Sequence, residues 1–96
     1  MSRHRAKVTI FSYDKGGRPG MPVGSGFSPD ACTPGGQERL QIILCDVPAT
    51  ATLDEEFDAW IELRYPGVRD YSVLLSGRDF DLVEGVKRVG RARLLG

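Results

Sequence analysis

Few side chains in this sequence can carry chemistry, and their spacing decides what each can do. The one histidine, His4, lies between Arg3 and Arg5, with no nucleophile or acid at a fixed distance from it. A general base needs a positioned partner, so His4 reads as a solvated residue of the chain's lead-in. Cys32 stands beside the turn-forming run Thr33-Pro-Gly-Gly36, and Cys45 closes an apolar stretch. Two cysteines make neither a disulfide framework nor a zinc site, and both read as reduced, partly buried thiols. Cys32 would be reactive only beside a base or cation that lowers its pKa. Asp54, Glu55, Glu56 and Asp58 crowd carboxylates together, as a hard cation would require. They lack the alternating ligands and the glycine of a calcium loop, so a solvated acidic turn is expected. Ser25 lies in Gly-Ser-Gly rather than the Gly-x-Ser-x-Gly of a nucleophile elbow. No catalytic set, metal site or cofactor motif emerges, and the expectation is a protein that is not an enzyme.

The basic residues form the better functional candidate. Lys87, Arg88, Arg91 and Arg93 could join Arg3, Arg5, Lys15 and Arg18 in an anion-binding face for RNA or an acidic protein. Net charge is zero but unevenly spread. Residues 1–20 carry five Lys/Arg against one Asp, and residues 85–96 carry four Lys/Arg and no acid. Residues 21–84 hold four Lys/Arg against twelve Asp/Glu. A basic patch therefore forms only if the two ends of the chain lie side by side. On a strand Lys87, Arg91 and Arg93 point one way and Arg88 the other. The alternative is a solvated outer face on which Asp79 and Asp81 pair with these cations across strands.

These residues must be positioned by a chain of 96 residues, one domain of marginal core size. No apolar run approaches the roughly 18 residues of a membrane span. No apolar segment follows the basic Met-Ser-Arg-His-Arg start, so no secretory signal is expected and the cytoplasm is the expected compartment. Residues 1–5 read as a flexible basic tail. Ala6–Tyr13 alternates Val8 and Ile10 with Lys7 and Thr9 and predicts a strand. Asp14–Gly20 is a glycine-rich loop that would present Lys15 and Arg18 at its tip. Met21–Asp30 suggests a brief strand kinked at Ser25-Gly26, with Phe27 as an apolar anchor. Glu38–Asp46 predicts a strand with Leu40, Ile42 and Leu44 on one face, and Val47–Thr52 is a connector.

Residues 53–64 support two assignments. Thr52 with Glu55 offers a capping box, and Leu53, Phe57, Trp60, Ile61 and Arg64 fall at helical spacing. Phe57, Ala59, Ile61 and Leu63 also allow a strand with these four on one face, although Trp60 fits the helix better. Beyond them come a turn at Tyr65–Asp70, a short strand at Tyr71–Leu75 and a turn at Ser76-Gly77. A closing hairpin follows, its strands at Phe80–Glu84 and Val86–Leu95 and its turn at Glu84-Gly85. Many short strands between Gly/Pro turns indicate an all-β sandwich or barrel.

The punctuation resembles a known family. Gly16-Gly-Arg18, Pro22, Ser25-Gly-Phe27 and Pro29 follow the order found early in the third, C-terminal β-barrel domain of elongation factor Tu. Gly77, Phe80, Leu82, Glu84-Gly85 and Val89-Gly90 resemble that domain's final hairpin in type and spacing. The resemblance spans nearly the whole chain, with anchors at both ends. It implies a small closed six-stranded antiparallel barrel of Greek-key type over residues 6–96, a strand at residues 57–64, and adjacent first and last strands. In that family the barrel helps hold the T-stem of aminoacyl-tRNA, and Arg18, Glu84 and Gly85 stand at matching positions. Two departures stand out. The sequence has no Gly-x-x-x-x-Gly-Lys-Ser/Thr phosphate loop, and Asp30 stands where the family has Gln.

The core should comprise Val8, Ile10, Leu40, Ile42, Leu44, Phe80, Leu82 and Val89. The expected function is a non-catalytic binding module, with Arg18, Glu84, Gly85, Lys87, Arg91 and Arg93 as its partner- or RNA-binding residues. Zero net charge favours a protein partner. RNA or tRNA binding, and self-association as a homodimer, are the alternatives.

Overall fold

A computed structural model of the chain, whose described residues are 3–12, 26–33 and 38–95, contains six strands. They are β1 (Arg3–Ile10), β2 (Asp30–Cys32), β3 (Leu40–Cys45), β4 (Phe57–Leu63), β5 (Phe80–Glu84) and β6 (Lys87–Leu94). All neighbours are antiparallel, and the order β1-β4-β3-β2-β5-β6 closes on itself as a barrel. Consecutive strands β2, β3 and β4 lie side by side, while β1 sits beyond β4, which is Greek-key order. The described residues contain no helix.

Period-two alternation builds this wall because successive strand side chains face opposite sides. Ala6, Val8 and Ile10 of β1, Leu40, Ile42 and Leu44 of β3, and Phe80 and Leu82 of β5 are buried, as are Val89, Ala92 and Leu94 of β6. Every core residue named from the sequence is in this set. Burying one such large apolar side chain stabilises a fold by about 1.5–3 kcal/mol. Phe27 packs partly buried against the core, as an anchor should.

The stretch open to two assignments is strand β4. Phe57, Ala59, Ile61 and Leu63 face inward, while Trp60, which helical spacing would bury, is 37% exposed. Tertiary pairing decides between them. β4 lies between β1 and β3 in the strand order, with Arg3↔Glu62 through Val8↔Phe57 on one side and Ile42↔Leu63 through Cys45↔Trp60 on the other.

Three expectations are corrected. The flexible tail expected over residues 1–5 is, from Arg3 onward, the first part of β1, because β4 supplies partners as far as Arg3↔Glu62. His4 accordingly lies within a strand and is partly buried. Tyr71–Leu75 is not a strand but a turn. The Leu74 N–H donates to the Tyr71 carbonyl at 2.9 Å, and the Asp70 carboxylate accepts the Ser72 N–H at 2.9 Å. This winding buries Tyr71 and Leu74, three residues apart, against the barrel. Finally, the turn of the closing hairpin is Gly85-Val86, with Glu84 paired to Lys87. Gly85 has φ +60° and Val86 does not share that sign, as a turn with glycine at its first central position requires.

Pro29 is fully buried beside β3 and has no N–H to give it. Ser28 fills the gap, its hydroxyl donating to the Ile42 carbonyl at 2.6 Å. Backbone pairing resumes beyond it, where the Gly26 N–H donates to the Leu44 carbonyl and the Leu44 N–H to the Phe27 carbonyl, each at 2.8 Å. The kink expected at Ser25-Gly26 is described only at Gly26, which has φ +96°. The loop expected at Asp14–Gly20, with Lys15 and Arg18, lies outside the described residues.

Candidate binding face

β1 and β6 are neighbours, paired from Ala6↔Leu94 to Ile10↔Gly90, so the two basic ends of the chain do meet. On the outer side β1 presents Arg3, Arg5, Lys7 and Thr9, and its neighbour β4 presents Asp58, Trp60 and Glu62. β6 departs from simple alternation. Leu82 pairs with Gly90 and Val83 with Arg88, leaving Val89 as the extra residue of a β-bulge. Val89 turns inward and Arg88 outward, so Arg88 shares the outer side with Arg91 and Arg93 rather than opposing them. The reason is the one-residue slip, which resets the period-two pattern.

Acids meet most of these cations. Lys7 Nζ lies 2.5 Å from Asp58 Oδ1, its register partner on β4. Arg88 Nε is 2.7 Å from Asp81 Oδ1, with its guanidinium 4.9 Å from the centre of the Phe11 ring. Arg93 Nη1 is 3.5 Å from Asp79 Oδ1. Arg3 reaches Asp46 at 3.5 Å and Glu62 at 3.8 Å. The hydrogen bond from Lys7 holds the Asp58 carboxyl below the usual carboxylate range, and the charges of Lys7 and Arg5 add to it. Asp70 is also held low, by its hydrogen bonds from Ser72. Among the described residues Arg5 and Arg91 join no ion pair.

The residues singled out from the sequence fall into two groups. Glu84, Gly85 and Lys87 are at the tip of the β5–β6 hairpin, whereas Arg91 and Arg93 lie further along β6 on the outer wall. Arg18 lies outside the described residues. At the tip the structure adds a residue that sequence reasoning missed. The Arg39 guanidinium donates to the Gly85 carbonyl and lies 3.8 Å from the Asp30 carboxylate. Its carbonyl partner is 46 residues away in sequence, and no local pattern announces such a contact.

On the wall, Arg91 of β6 pairs in register with Thr9 of β1, and Arg93 with Lys7. These four, with Glu56, Asp79 and Ala92, line a cavity of about 90 Å³. Lys7 and Thr9 were legible as the polar half of the β1 alternation, but nothing in sequence marked them as facing Arg91 and Arg93. A larger open cleft of about 630 Å³ is lined by Thr33, Val73, Ser76, Arg78 and Asp79.

The remaining chemistry candidates are tied into structure. The Asp54 carboxylate accepts the Ser12 N–H at 3.0 Å, and the Asp54 N–H donates to the Ile10 carbonyl at 2.7 Å. Among the described residues no group of three His, Cys, Asp or Glu is arranged to hold a metal ion. Cys32 and Cys45 are thiols of intermediate burial. Burial pushes the Cys45 thiol up, Arg3 opposes it, and Glu62 and Asp46 reinforce it. Among the described residues no helix is long and apolar enough to cross a membrane. Neither a scan against protein-family models nor a search of curated proteins finds a match to this chain.

Proposed function

We propose that this barrel is a non-catalytic binding module for a protein partner, engaged through the outer wall of β5, β6, β1 and β4. The observation that carries this reading is the internal pairing of the wall's cations. Lys7, Arg3, Arg88 and Arg93 each meet a carboxylate within 4.0 Å, which leaves a mosaic of both signs rather than a single basic field. A mixed surface with an exposed aromatic, here Trp60, suits a protein surface of complementary pattern. A nucleic-acid backbone favours an unopposed basic stripe. At the hairpin tip Asp30 stands against Arg39, which lowers the positive field there as well. The likeness of the closing hairpin to the third domain of elongation factor Tu supports a binding role in the same sense.

The test joins partner capture to RNA titration. The immobilised domain is exposed to extract with and without nuclease, and bound proteins are identified. In parallel the free domain is titrated with bulk tRNA at two salt concentrations and its mass measured by light scattering. A protein retained after nuclease treatment, with weak tRNA binding, is expected. A tRNA affinity that falls steeply with salt would overturn this reading in favour of RNA binding, and a stable homodimer with no other partner would replace it with self-association.

A further inference from the structure

The cavity between β1 and β6 is where the wall's pairing of charges fails to close. Four of its lining side chains are donors (Lys7, Thr9, Arg91 and Arg93), against the two carboxylates of Glu56 and Asp79. An ammonium carries three donors and a guanidinium five, and neither accepts. Lys7 is engaged by Asp58, which is not part of the lining, and Arg93 by Asp79. Arg91 joins no ion pair among the described residues, because its register partner Asp81 turns to Arg88. Thr9 is the second, independent sign. Only 6% of it is exposed, yet its hydroxyl makes no hydrogen bond to a described residue. Buried hydroxyls are normally satisfied. Thr9 is among the residues that line the cavity.

Backbone pairing sets the geometry. Thr9 faces Arg91 and Lys7 faces Arg93 across the same two strands. Facing positions are about 5 Å apart and alternate positions along a strand about 7 Å, so the four donors mark the corners of a small rectangle. The cavity's volume of about 90 Å³ is several times what a water needs. Among the described residues three cations and two anions line the cavity, and Asp58 beside Lys7 brings the charges into balance, so what is left over is the unpaired Arg91 guanidinium.

We propose that this cavity receives a single carboxylate side chain of an acidic protein segment, held by the Arg91 guanidinium and the Thr9 hydroxyl with Lys7 and Arg93 at its edge. One carboxylate offers an acceptor to Arg91, which joins no ion pair among the described residues, and to the Thr9 hydroxyl beside it. A nucleic-acid strand would bring successive phosphates against Glu56, Asp58, Asp79 and Asp81, which border the same donors. The proposal deepens the protein-binding reading and rests on it.

The experiment is a two-dimensional amide NMR titration of the labelled domain with a capped oligoglutamate peptide, an oligoglutamine control and an oligouridylate of matched charge. Saturable shifts centred on Thr9, Arg91, Ala92 and Arg93 are expected with oligoglutamate alone. Arg91→Gln should weaken binding about tenfold or more, and Thr9→Val about threefold, from the typical worth of charged and neutral hydrogen bonds. Thr9→Ser, which keeps the hydroxyl, should restore it. Shifts centred elsewhere, equal shifts with oligoglutamine, unchanged affinity in both variants, or no saturable shift up to millimolar peptide would overturn the proposal. Tighter oligouridylate binding at the same amides would overturn it in favour of RNA. A partner protein retained equally by the Arg91→Gln variant would remove this site while leaving the binding-module reading intact.

Discussion

Among the described glycines, Gly90 is the one at which an added methyl group meets the barrel's own backbone. It pairs with Ile10 on β1 and with Leu82 on β5, beside the bulge at Val89, and is buried. A Cβ built there falls on the Thr9 carbonyl oxygen, far inside van der Waals contact, and lies 3.3 Å from both Ile10 Cα and Ile10 Cδ1. Two of these three atoms are backbone of β1, so no rotamer change relieves the clash; the β1–β6 pairing has to open. Over-packing of this kind costs about 1–3 kcal/mol. Against it stands the gain of about 0.4–1 kcal/mol that Gly→Ala gives by restricting the unfolded chain. The net expectation for Gly90→Ala is a loss of about 1–2 kcal/mol, or about 4–16 °C in midpoint for a domain of this size. Gly67 is the control, with open space around its Cβ and no positive φ, and Gly67→Ala should be neutral or slightly stabilising. Thermal melts and urea titrations of the three proteins, with unchanged denaturant slopes, give the comparison. If Gly90→Ala matches the wild type while Gly67→Ala does not exceed it, close strand approach is not what fixes glycine here.

Three further outcomes follow from the hydrogen bonds and ion pairs. Tyr71→Phe removes a hydroxyl that donates to the Gln41 carbonyl at 2.7 Å and accepts the Tyr65 N–H at 3.3 Å. It should cost about 1–2 kcal/mol in urea unfolding and speed amide exchange in residues 65–75; unaltered exchange would show that this tether is idle. Ser28→Ala strips the Ile42 carbonyl of the donor that replaces Pro29's missing N–H, and should cost about 1 kcal/mol, with Ser28→Thr nearer neutral. Asp58 has a folded pKa below its unfolded value, so its contribution to stability is present above the ordinary carboxylate range and is lost as pH falls through the folded pKa. The midpoint gap between wild type and Asp58→Asn should therefore be largest at neutral pH and close below about pH 4. A gap independent of pH would mean that the Lys7 pair does not discriminate protonation states.

The strands were legible because the core follows the pleat. Val8 and Ile10, Leu40, Ile42 and Leu44, and Phe80 and Leu82 each repeat with period two, and each repeat is a buried strand face. Residues 53–64 were ambiguous because their apolar positions satisfy both periods, and only the need for a strand between β1 and β3 separates them. Tyr71–Leu75 misled for the converse reason. Its β-branched and apolar content looks like a strand, but Asp70 caps Ser72 and the chain winds, leaving Val73 and Leu75 about half exposed. Strand propensity measures fit to a half-buried sheet, and this segment has no sheet to join.

The candidate wall is harder to read because it depends on quantities that no local pattern carries. The basic ends and the acidic middle were visible as a charge imbalance, and adjacency of the ends was conditional on topology. In the barrel β1 stands between β6 and β4, so each basic strand acquires an acidic neighbour: β4 for β1, and β5 with Asp79 for β6. Which cation is satisfied then turns on one residue of register. With Val89 as the bulged residue, Arg88 swings outward and takes Asp81, the acid directly across from Arg91. An unbroken β6 would have turned Arg88 inward and left Asp81 to Arg91. The unpaired guanidinium beside Thr9 is thus a product of the bulge rather than of the count of basic residues.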